Sequence, residues 1–278
     1  MVEAASTFTS EYGGASQCRY AVGIPTKDRG EILSTCLTAF AKQTVKPEAI
    51  VLVNNNTNGA PIKLPELDIN VVILDNLYPV KGMSQGNSIA LDWIVEHDFK
   101  LAVKWDDDLI PEPDCMAKLL RWIGKYNAAG GCYPRPDAKV WKDGPRGKIP
   151  IPDKYPNHIQ FFRWFEAGTE APLPMEILGL YSSYAYSVDR MKEVGGFRLN
   201  HSPIAYREDT ELSACIGKNI IDPAAIAIHH VILGGGTRSF STRILANMGF
   251  HDQRLFRKSM TKNGINVSNL LVAKEVGA

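Results

Sequence analysis

The 278-residue sequence lacks any long apolar run. No stretch approaches the roughly 20 apolar residues that a helix needs to cross a bilayer. Residues 1–17 also lack the basic start and apolar centre of a secretory signal. We therefore expect a soluble protein without a membrane span, located in the cytoplasm. Residues 1–18 are polar and rich in small side chains, which predicts a flexible N-terminus.

Cysteine is scarce and its spacing forms no motif. The five cysteines are an odd number, and none of them lies in a Cys-x-x-Cys pair. This usage argues against both a disulfide framework and a structural zinc site. It fits a reducing compartment such as the cytoplasm.

The sequence also lacks an overall excess of one charge. Its 31 Lys and Arg residues are balanced by 30 Asp and Glu residues. The overall charge therefore does not indicate nucleic acid or an acidic surface as a partner. The C-terminal part is nevertheless basic, since residues 231–278 hold seven Lys or Arg and two acidic residues. A basic helical tail is predicted over residues 237–278. Its charge permits contacts to nucleic acid phosphates, and a solvated helix face explains it equally well.

What the sequence does contain is a series of short β-type runs, each followed by a polar loop. These runs alternate with helical patterns, which predicts an α/β fold with a Rossmann-like, mainly parallel sheet flanked by helices. In such a sheet the ligand cleft forms at the carboxyl ends of the strands. The loops at residues 25–29, 54–58 and 106–108 should therefore line one cleft.

The later part of the chain is less regular. The pattern predicts helices at residues 113–126 and 212–217 and a last strand at residues 226–228. Residues 133–165 are proline-rich and cannot form a regular element. We expect them to shape the acceptor side of the cleft, with a tolerated surface insertion as the alternative.

Three successive carboxylates, Asp106, Asp107 and Asp108 (the Asp triplet), directly follow a short apolar run. They repel one another and cannot be buried without a compensating cation. If the strand reaches Trp105, alternation sends Asp106 and Asp108 to one side and Asp107 to the other, giving an Asp-x-Asp pair. Such hard oxygen ligands suit Mg²⁺ or Mn²⁺ bridging to phosphate. The alternative is a solvated acidic turn before the helix that Pro111 opens.

Four short motifs occur in a characteristic order. They are residues 23–29 (Gly-Ile-Pro-Thr-Lys-Asp-Arg), the Asp triplet, residues 195–197 (Gly-Gly-Phe), and Glu208-Asp209 followed by a histidine. In order and spacing this set resembles the family 2-like glycosyltransferases of GT-A fold, over about residues 19–230. The resemblance implies a catalytic domain over residues 19–236, with a nucleoside-diphosphate sugar as donor and Mn²⁺ or Mg²⁺ as cofactor.

The resemblance also implies roles for individual residues. Asp108 would hold the metal ion that neutralises the diphosphate and so stabilises the leaving group. Asp106 would face the ribose or the sugar, with Asp107 beside it. The second loop ordinarily offers an aspartate to the base, whereas this sequence has asparagines there, whose amides can still hydrogen-bond a base edge. The remaining residues expected to contact the nucleotide sugar are Pro25, Thr26, Asp28, Arg29, Asn54, Asn55 and Asn56.

Asp209, with Glu208 beside it, is the predicted general base. An inverting transfer needs a carboxylate opposite the departing nucleoside diphosphate, within about 3 Å of the acceptor hydroxyl. A helix cap is the alternative. By the same resemblance His229 or His230 would complete the metal shell or contact phosphate, and strand alternation allows at most one to be a ligand. Arg238 follows three glycines and is expected on the diphosphate, unless this segment is only a turn into the tail.

The sequence leaves the acceptor open among a glycan, a small molecule, a protein and a hydroxylated DNA base, as in some phage enzymes. A base inside a duplex would have to be flipped out. Two other functions suit a nucleotide-binding α/β fold. A nucleotidyltransferase is one, although residues 23–27 lack the glycine-rich loop with a Lys/Arg signature typical of those enzymes. A non-catalytic nucleotide-sugar-binding module is the other, and the intact Asp106, Asp108 and Asp209 argue against it.

Overall fold

A computed structural model describes residues 19–56, 61–79, 81–133, 174–230, 242–267 and 274–275. The predictions for the N-terminus, for residues 134–165 of the proline-rich loop and for Arg238 lie outside these residues. Among the helices that the structure describes, none combines the length and the apolar character that a membrane crossing requires.

Strands and helices alternate in the first half of the chain, as the sequence predicts. The strands are β1 (Tyr20–Thr26), β2 (Ala49–Asn54), β3 (Asn70–Asp75), β4 (Leu101–Lys104), β5 (Leu109–Pro111), β6 (Ala128–Cys132), β7 (Met175–Ile177), β8 (Tyr184–Ser187), β9 (Asn219–His229) and β10 (Lys274–Glu275). The helices are α1 (Gly30–Ala41), α2 (Met83–Glu96), α3 (Cys115–Leu120), α4 (Val188–Glu193), α5 (Glu208–Ile216) and α6 (Thr242–Lys262).

The central sheet has a parallel half that positions the cleft. Its strand order is β10-β7-β9-β6-β8-β4-β1-β2-β3, and β5 pairs with β9 outside that order. Strands β3, β2, β1 and β4 are parallel neighbours, so their carboxyl ends lie along one edge. Beyond them β8 is antiparallel to β4 and β6, whereas β9 is parallel to β6. The predicted α/β fold with a sheet flanked by helices is confirmed.

Strand β1 is buried along its whole length because helices cover both faces of the sheet. Tyr20, Val22 and Ile24 belong to the apolar cluster on the α1 side, and Ala21 belongs to the cluster on the α2 side. At Gly23 a Cβ atom would lie only 2.9 Å from the Cβ of an alanine in α2. A glycine at this position therefore lets α2 pack directly on the sheet.

Three element boundaries differ from the predicted ones. Helix α3 ends at Leu120, well before the predicted residue 126. Apolar residues continue at helical spacing beyond Leu120, but they lie in turns. Helix α5 begins at Glu208, so the two acidic residues lie inside its first turn. Strand β9 begins at Asn219, well before the predicted residue 226, and contains Pro223. The ladder with β6 shifts register around this region, and an irregular register accommodates a proline.

Candidate active site

The Asp triplet lies just beyond the carboxyl end of β4. Arg29, at the start of α1, places Nη1 2.8 Å from Asp107 Oδ1 and 2.7 Å from Asp108 Oδ2. The prediction that Asp106 and Asp108 share one side, with Asp107 on the other, is therefore wrong. Strand alternation does not apply, because β4 ends at Lys104 and the three carboxylates follow it in a turn.

Burial and neighbouring charge act in opposite directions on Asp107. Burial raises its pKa to about 6, although the Arg29 guanidinium and a hydrogen bond from Thr26 favour the charged form. The Thr26 hydroxyl donates to Asp107 Oδ2 at 2.7 Å. For Arg29, the attraction of Asp107 and Asp108 outweighs burial, and its pKa is raised. A guanidinium held between two carboxylates thus forms one side of the site.

The same two carboxylates have the donor chemistry for a divalent cation. Asp107 Oδ1 and Asp108 Oδ2 converge on the position of Arg29 Nη1, and His229 Nε2 lies 3.3 Å from Asp108 Oδ1. Carboxylate oxygens with one imidazole nitrogen suit Mn²⁺, and the oxygens suit Mg²⁺. In the part of the chain that the structure describes, no group of three or more His, Cys, Asp or Glu side chains could hold a metal by itself. Protein groups there would leave positions for phosphate oxygens or water.

The pairing of β5 with β9 explains how the histidines reach the triplet. His229 is opposite Leu109 in this antiparallel ladder, one residue beyond Asp108. Its imidazole therefore lies beside the Asp108 carboxylate. His230 donates its backbone N–H to the Asp108 carbonyl at 2.8 Å. The strand end brings both residues to Asp108, His229 through its side chain and His230 through its backbone.

Asp209 and Glu208, at the start of α5, form the second acidic group. Ser182 links this group to the triplet, because it donates its backbone N–H to Asp209 Oδ2 and its hydroxyl to Asp106 Oδ2. Lys104 Nζ donates to the Ser182 carbonyl at 2.7 Å and lies 3.4 Å from Asp106 Oδ1. Two carboxylates from distant parts of the chain are thereby held around one serine and one lysine.

Burial raises the pKa of both carboxyl groups in this pair. Glu208 is 3% exposed, and burial raises its pKa to about 7 against the opposing attraction of Lys104. Burial also raises the pKa of Asp209, against Lys104 and two backbone N–H groups that favour the charged form. Asp209 is less enclosed than Glu208. Carboxyl groups with a raised pKa are suited to proton transfer near neutral pH.

Lys104 and Ser182 are site residues that the sequence did not reveal. Lys104 is 4% exposed, and although burial lowers its pKa, the attraction of Asp106, Glu208 and Asp209 outweighs this and raises it. In the sequence, the only indication of this role was a lysine at the end of an otherwise apolar strand. For Ser182 no signal existed, since only the antiparallel pairing of β8 with β4 brings this serine to the acidic groups.

The asparagines predicted to contact the base form a network at the ends of β2 and β3. Asn54 donates to Asp75 Oδ1 at 3.0 Å, and Asn55 Oδ1 accepts from Asn76 at 2.6 Å. Asn54, Asn55 and Asn56 are all buried. Their amide groups therefore hold the shape of this loop, in addition to any contact with a ligand.

The first loop lies between this network and the triplet. Asp28 is exposed, has a φ of 53° and donates its backbone N–H to Asn56 Oδ1 at 2.8 Å. Pro25 is buried at the end of β1, where a Cβ on Gly86 would come within 2.8 Å of the proline ring. The start of α2 is therefore packed against this loop. Each predicted nucleotide contact within the described residues lies at the carboxyl edge of the parallel strands or in the loops that follow them.

The chain was compared with known families and curated proteins. The profile of glycosyl transferase family 2 matches residues 21–186. This span reaches from β1 into β8, includes the Asp triplet and Ser182, and ends before Glu208. A search of the curated proteins found no significant match.

Solved structures share the fold at low sequence identity. The mannosyltransferase PcManGT from Pyrobaculum calidifontis, in complex with GDP-Man and Mn2+, is 16% identical with a TM-score of 0.50, covering 88% of this chain and 63% of that one. S. aureus TarS 1-349 in complex with UDP-GlcNAc is 11% identical with a TM-score of 0.60, covering 90% and 68%. GalNAc-T7 with UDP, GalNAc and Mn2+ is 15% identical with a TM-score of 0.51, covering 77% and 44%. The chain thus spans less than two thirds of the first and third of these proteins.

Proposed function

The chain belongs to glycosyl transferase family 2, and from this premise we propose a metal-dependent, inverting transfer of sugar from a nucleoside-diphosphate sugar to a hydroxyl group. Membership makes the protein a glycosyltransferase of GT-A fold. The observation that carries the proposal is the link between two acidic groups, since Asp106 and Asp209 both accept hydrogen bonds from Ser182. In a site built around this link, the donor would lie at the end of β4 and the acceptor at the start of α5.

On the donor side, Asp108 and His229 would hold the divalent cation, with Asp107 beside them. When bound, the ion supplies positive charge that stabilises the departing diphosphate. Arg29 lies between the two carboxylates and would add a second positive charge beside the phosphates. PcManGT was solved with GDP-Man and Mn2+, and GalNAc-T7 with UDP, GalNAc and Mn2+, which supports this class of donor and cofactor. Asp106 would then face the ribose or the sugar.

The other proposed donor contacts lie along the same edge of the sheet. Pro25, Thr26 and Asp28 would contact the nucleoside from the first loop. The asparagines of the second loop would meet the base, and Arg238 would contact the diphosphate. The parallel arrangement of β3, β2, β1 and β4 supports this assignment, because it aligns these loops along the cleft.

On the acceptor side, Asp209 would take the proton of the acceptor hydroxyl while that oxygen bonds to the anomeric carbon. The bond to the nucleoside diphosphate breaks on the opposite face, so the configuration inverts. The raised pKa of Asp209 supports a role in proton transfer. Lys104, buried between Asp106 and the pair of Glu208 and Asp209, offsets their negative charge and would keep Asp209 ionised before the transfer.

For the acceptor, one observation favours a nucleic acid among the alternatives. The single acidic residue of α6, Asp252, is fully buried, whereas Arg254, Arg257, Lys258 and Lys262 are exposed. The outer face of this helix is therefore basic and suited to phosphate contacts. Transfer of labelled sugar to hydroxymethylated DNA that weakens with rising salt would support this acceptor. Absence of labelled DNA at every salt concentration would exclude it, and a glycan, protein or small molecule would remain.

The first experiment is incubation of the protein with a panel of nucleotide sugars and Mn²⁺ or Mg²⁺. Release of nucleoside diphosphate from one donor, stopped by a chelator and restored by the metal, is the expected result. Release of pyrophosphate from a nucleoside triphosphate and a sugar phosphate would indicate a nucleotidyltransferase instead. Binding of the nucleotide sugar with no release in the presence of any acceptor would indicate a binding module.

A further inference from the structure

The C-terminal helix α6 holds the loop that leads into the acidic pair of α5. Asp252, in the middle of α6, is 0% exposed. Its Oδ1 accepts the backbone N–H of Ser202 at 2.8 Å, and its Oδ2 accepts the Ser202 hydroxyl at 2.6 Å and the N–H of Tyr206 at 2.8 Å. Burial alone would raise the pKa of Asp252, but His201 and these three donors outweigh it and lower the pKa.

The loop held in this way has an unfavourable backbone conformation. Ala205 and Arg207 have φ values of 45° and 65°, in the left-handed region that non-glycine residues seldom adopt. Such conformations persist only where the surrounding structure holds them. The hydrogen bonds that Asp252 accepts come from Ser202 and Tyr206, on either side of Ala205. Arg207 directly precedes Glu208. The contacts of α6 therefore act on the last residues before the acidic pair.

Two further contacts join α6 to the same region. The buried imidazole of His201 lies between the helices, with Nε2 3.2 Å from Glu211 Oε2 in α5 and Nδ1 3.6 Å from Asp252 Oδ1 in α6. The Arg207 guanidinium lies 5.3 Å from the ring centre of Phe256, which is fully buried. The start of α5 is thus connected to α6 by an ion pair, hydrogen bonds and an aromatic contact.

We propose that Asp252 is a positioning residue, through which α6 clamps residues 202–207 and so orients Asp209 toward the acceptor. This inference rests on the proposed function, because the orientation of Asp209 affects the rate only if Asp209 is the base. Residues 242–262 then belong to the catalytic unit, whereas the sequence suggested a separate tail from residue 237. The basic outer face of α6 remains exposed in this arrangement.

The test compares Asp252→Asn with Asp189→Asn, which makes the same substitution at an exposed carboxylate in the first turn of α4. An amide at position 252 cannot accept all three hydrogen bonds, so the loop should loosen. We expect the turnover number to fall about 10- to 100-fold, because small displacements of a catalytic group have effects of this size. The KM for the donor should stay within about twofold, since donor contacts are untouched. Asp189→Asn should match the wild type in nucleoside diphosphate release on the donor identified in the panel.

Hydrogen exchange tests the clamp independently of catalysis. In the wild type and in Asp189→Asn, the amides of Ser202 and Tyr206 should be protected, and in Asp252→Asn they should exchange faster. Should Asp252→Asn fail to fold, Ser202→Ala removes one of the three bonds, and we expect a smaller fall in turnover at unchanged donor KM.

Two results would overturn the inference. One is faster exchange at Ser202 and Tyr206 with wild-type turnover, which would mean that the loop does not position the base. The other is unchanged exchange in Asp252→Asn, which would mean that Asp252 does not hold the loop. A wild-type protein that releases no nucleoside diphosphate from any donor would instead refute the proposed function. In that case the exchange data would still decide whether the clamp exists.

Discussion

Asp106 and Asp209 accept hydrogen bonds from the same residue, Ser182, although one follows β4 and the other begins α5. Ser182 has a φ of 54°, and its carbonyl accepts a hydrogen bond from Lys104. Carboxylates this close repel one another, so the buried lysine is needed to keep them charged together. The relationship holds the carboxylates that we propose for the donor side and for the acceptor side around a single buried lysine.

Replacement of Asp209 by Asn should abolish transfer. An amide cannot take the acceptor proton, and loss of a general base lowers turnover by about 10²- to 10⁴-fold. Metal-dependent binding of the nucleotide should persist, measured by titration calorimetry. Asp189→Asn, which changes an exposed carboxylate in the first turn of α4, is the matched control. Turnover close to wild type in Asp209→Asn would remove Asp209 from this role.

The wild-type enzyme should lose activity as the pH falls and the acidic pair takes up protons, since burial raises the pKa of Glu208 in this pair to about 7. Burial raises the pKa of Asp209 as well, so both groups take up protons at a higher pH than free carboxylates do. Because the base must be ionised, kcat/KM should be highest at alkaline pH and should fall as the acidic pair takes up protons. Glu208→Gln tells the two groups apart in a pH–rate profile. A flat pH–rate profile between about pH 5 and 8 would contradict the prediction.

Replacement of Lys104 by Met should move the acidic limb of the pH–rate profile, where activity falls with falling pH, to higher pH. Removal of the cation raises the pKa of Asp209 and Glu208 further, because its attraction is the main influence that lowers them. The Ser182 carbonyl also loses its donor, so the free energy of unfolding should fall by about 1–3 kcal/mol. Denaturant unfolding and the pH–rate profile measure the two effects. Lys104→Arg, which keeps the charge, should leave the limb near its wild-type position.

The buried imidazole of His201 should make stability depend on pH in the alkaline range. Burial lowers its pKa, but Asp252 and Glu211 outweigh burial and raise it from 6.5 to about 9. The folded state therefore holds the proton more tightly, and the stabilisation is complete below pH 6.5 and lost as the pH rises through 9. His201→Gln should lack this decline in the free energy of unfolding. Equal slopes for both proteins in chemical denaturation would disprove the assignment.

Replacement of Asp108 by Asn should weaken binding of the metal. The Asp108 carboxylate lies beside both Arg29 and His229, and loss of a charged oxygen ligand lowers the affinity for a hard cation. We expect Mn²⁺-dependent nucleotide binding to weaken by about tenfold or more, as changes around metal sites commonly do. Titration of Mn²⁺ followed by electron paramagnetic resonance measures it directly. The control Asp114→Asn removes a half-exposed carboxylate just before α3 and should bind Mn²⁺ like the wild type.

The sequence alone was sufficient for the features that local composition determines. Apolar runs followed by polar loops predicted the parallel strands, because a strand covered on both faces is continuously apolar. The Asp triplet stood out because successive carboxylates after an apolar run need a compensating cation, and the Glu208–Asp209 pair stood out as one of the four motifs that carry the family resemblance. These patterns depend on residues that are adjacent in the sequence, and they predicted the fold and drew attention to both acidic groups.

Only the tertiary structure decided how these groups are combined. A turn after Lys104 places Asp107 with Asp108 on Arg29, where an extended strand would have separated them. Antiparallel pairing of β8 brings Ser182 to the site, and the docking of α6 brings Asp252 to the loop before α5. Such contacts join residues far apart in the chain, and they depend on strand order and helix packing rather than on local composition. For this reason the sequence indicated the carboxylates that we propose for the site, and the fold determined which cations and hydrogen-bond donors hold them in place.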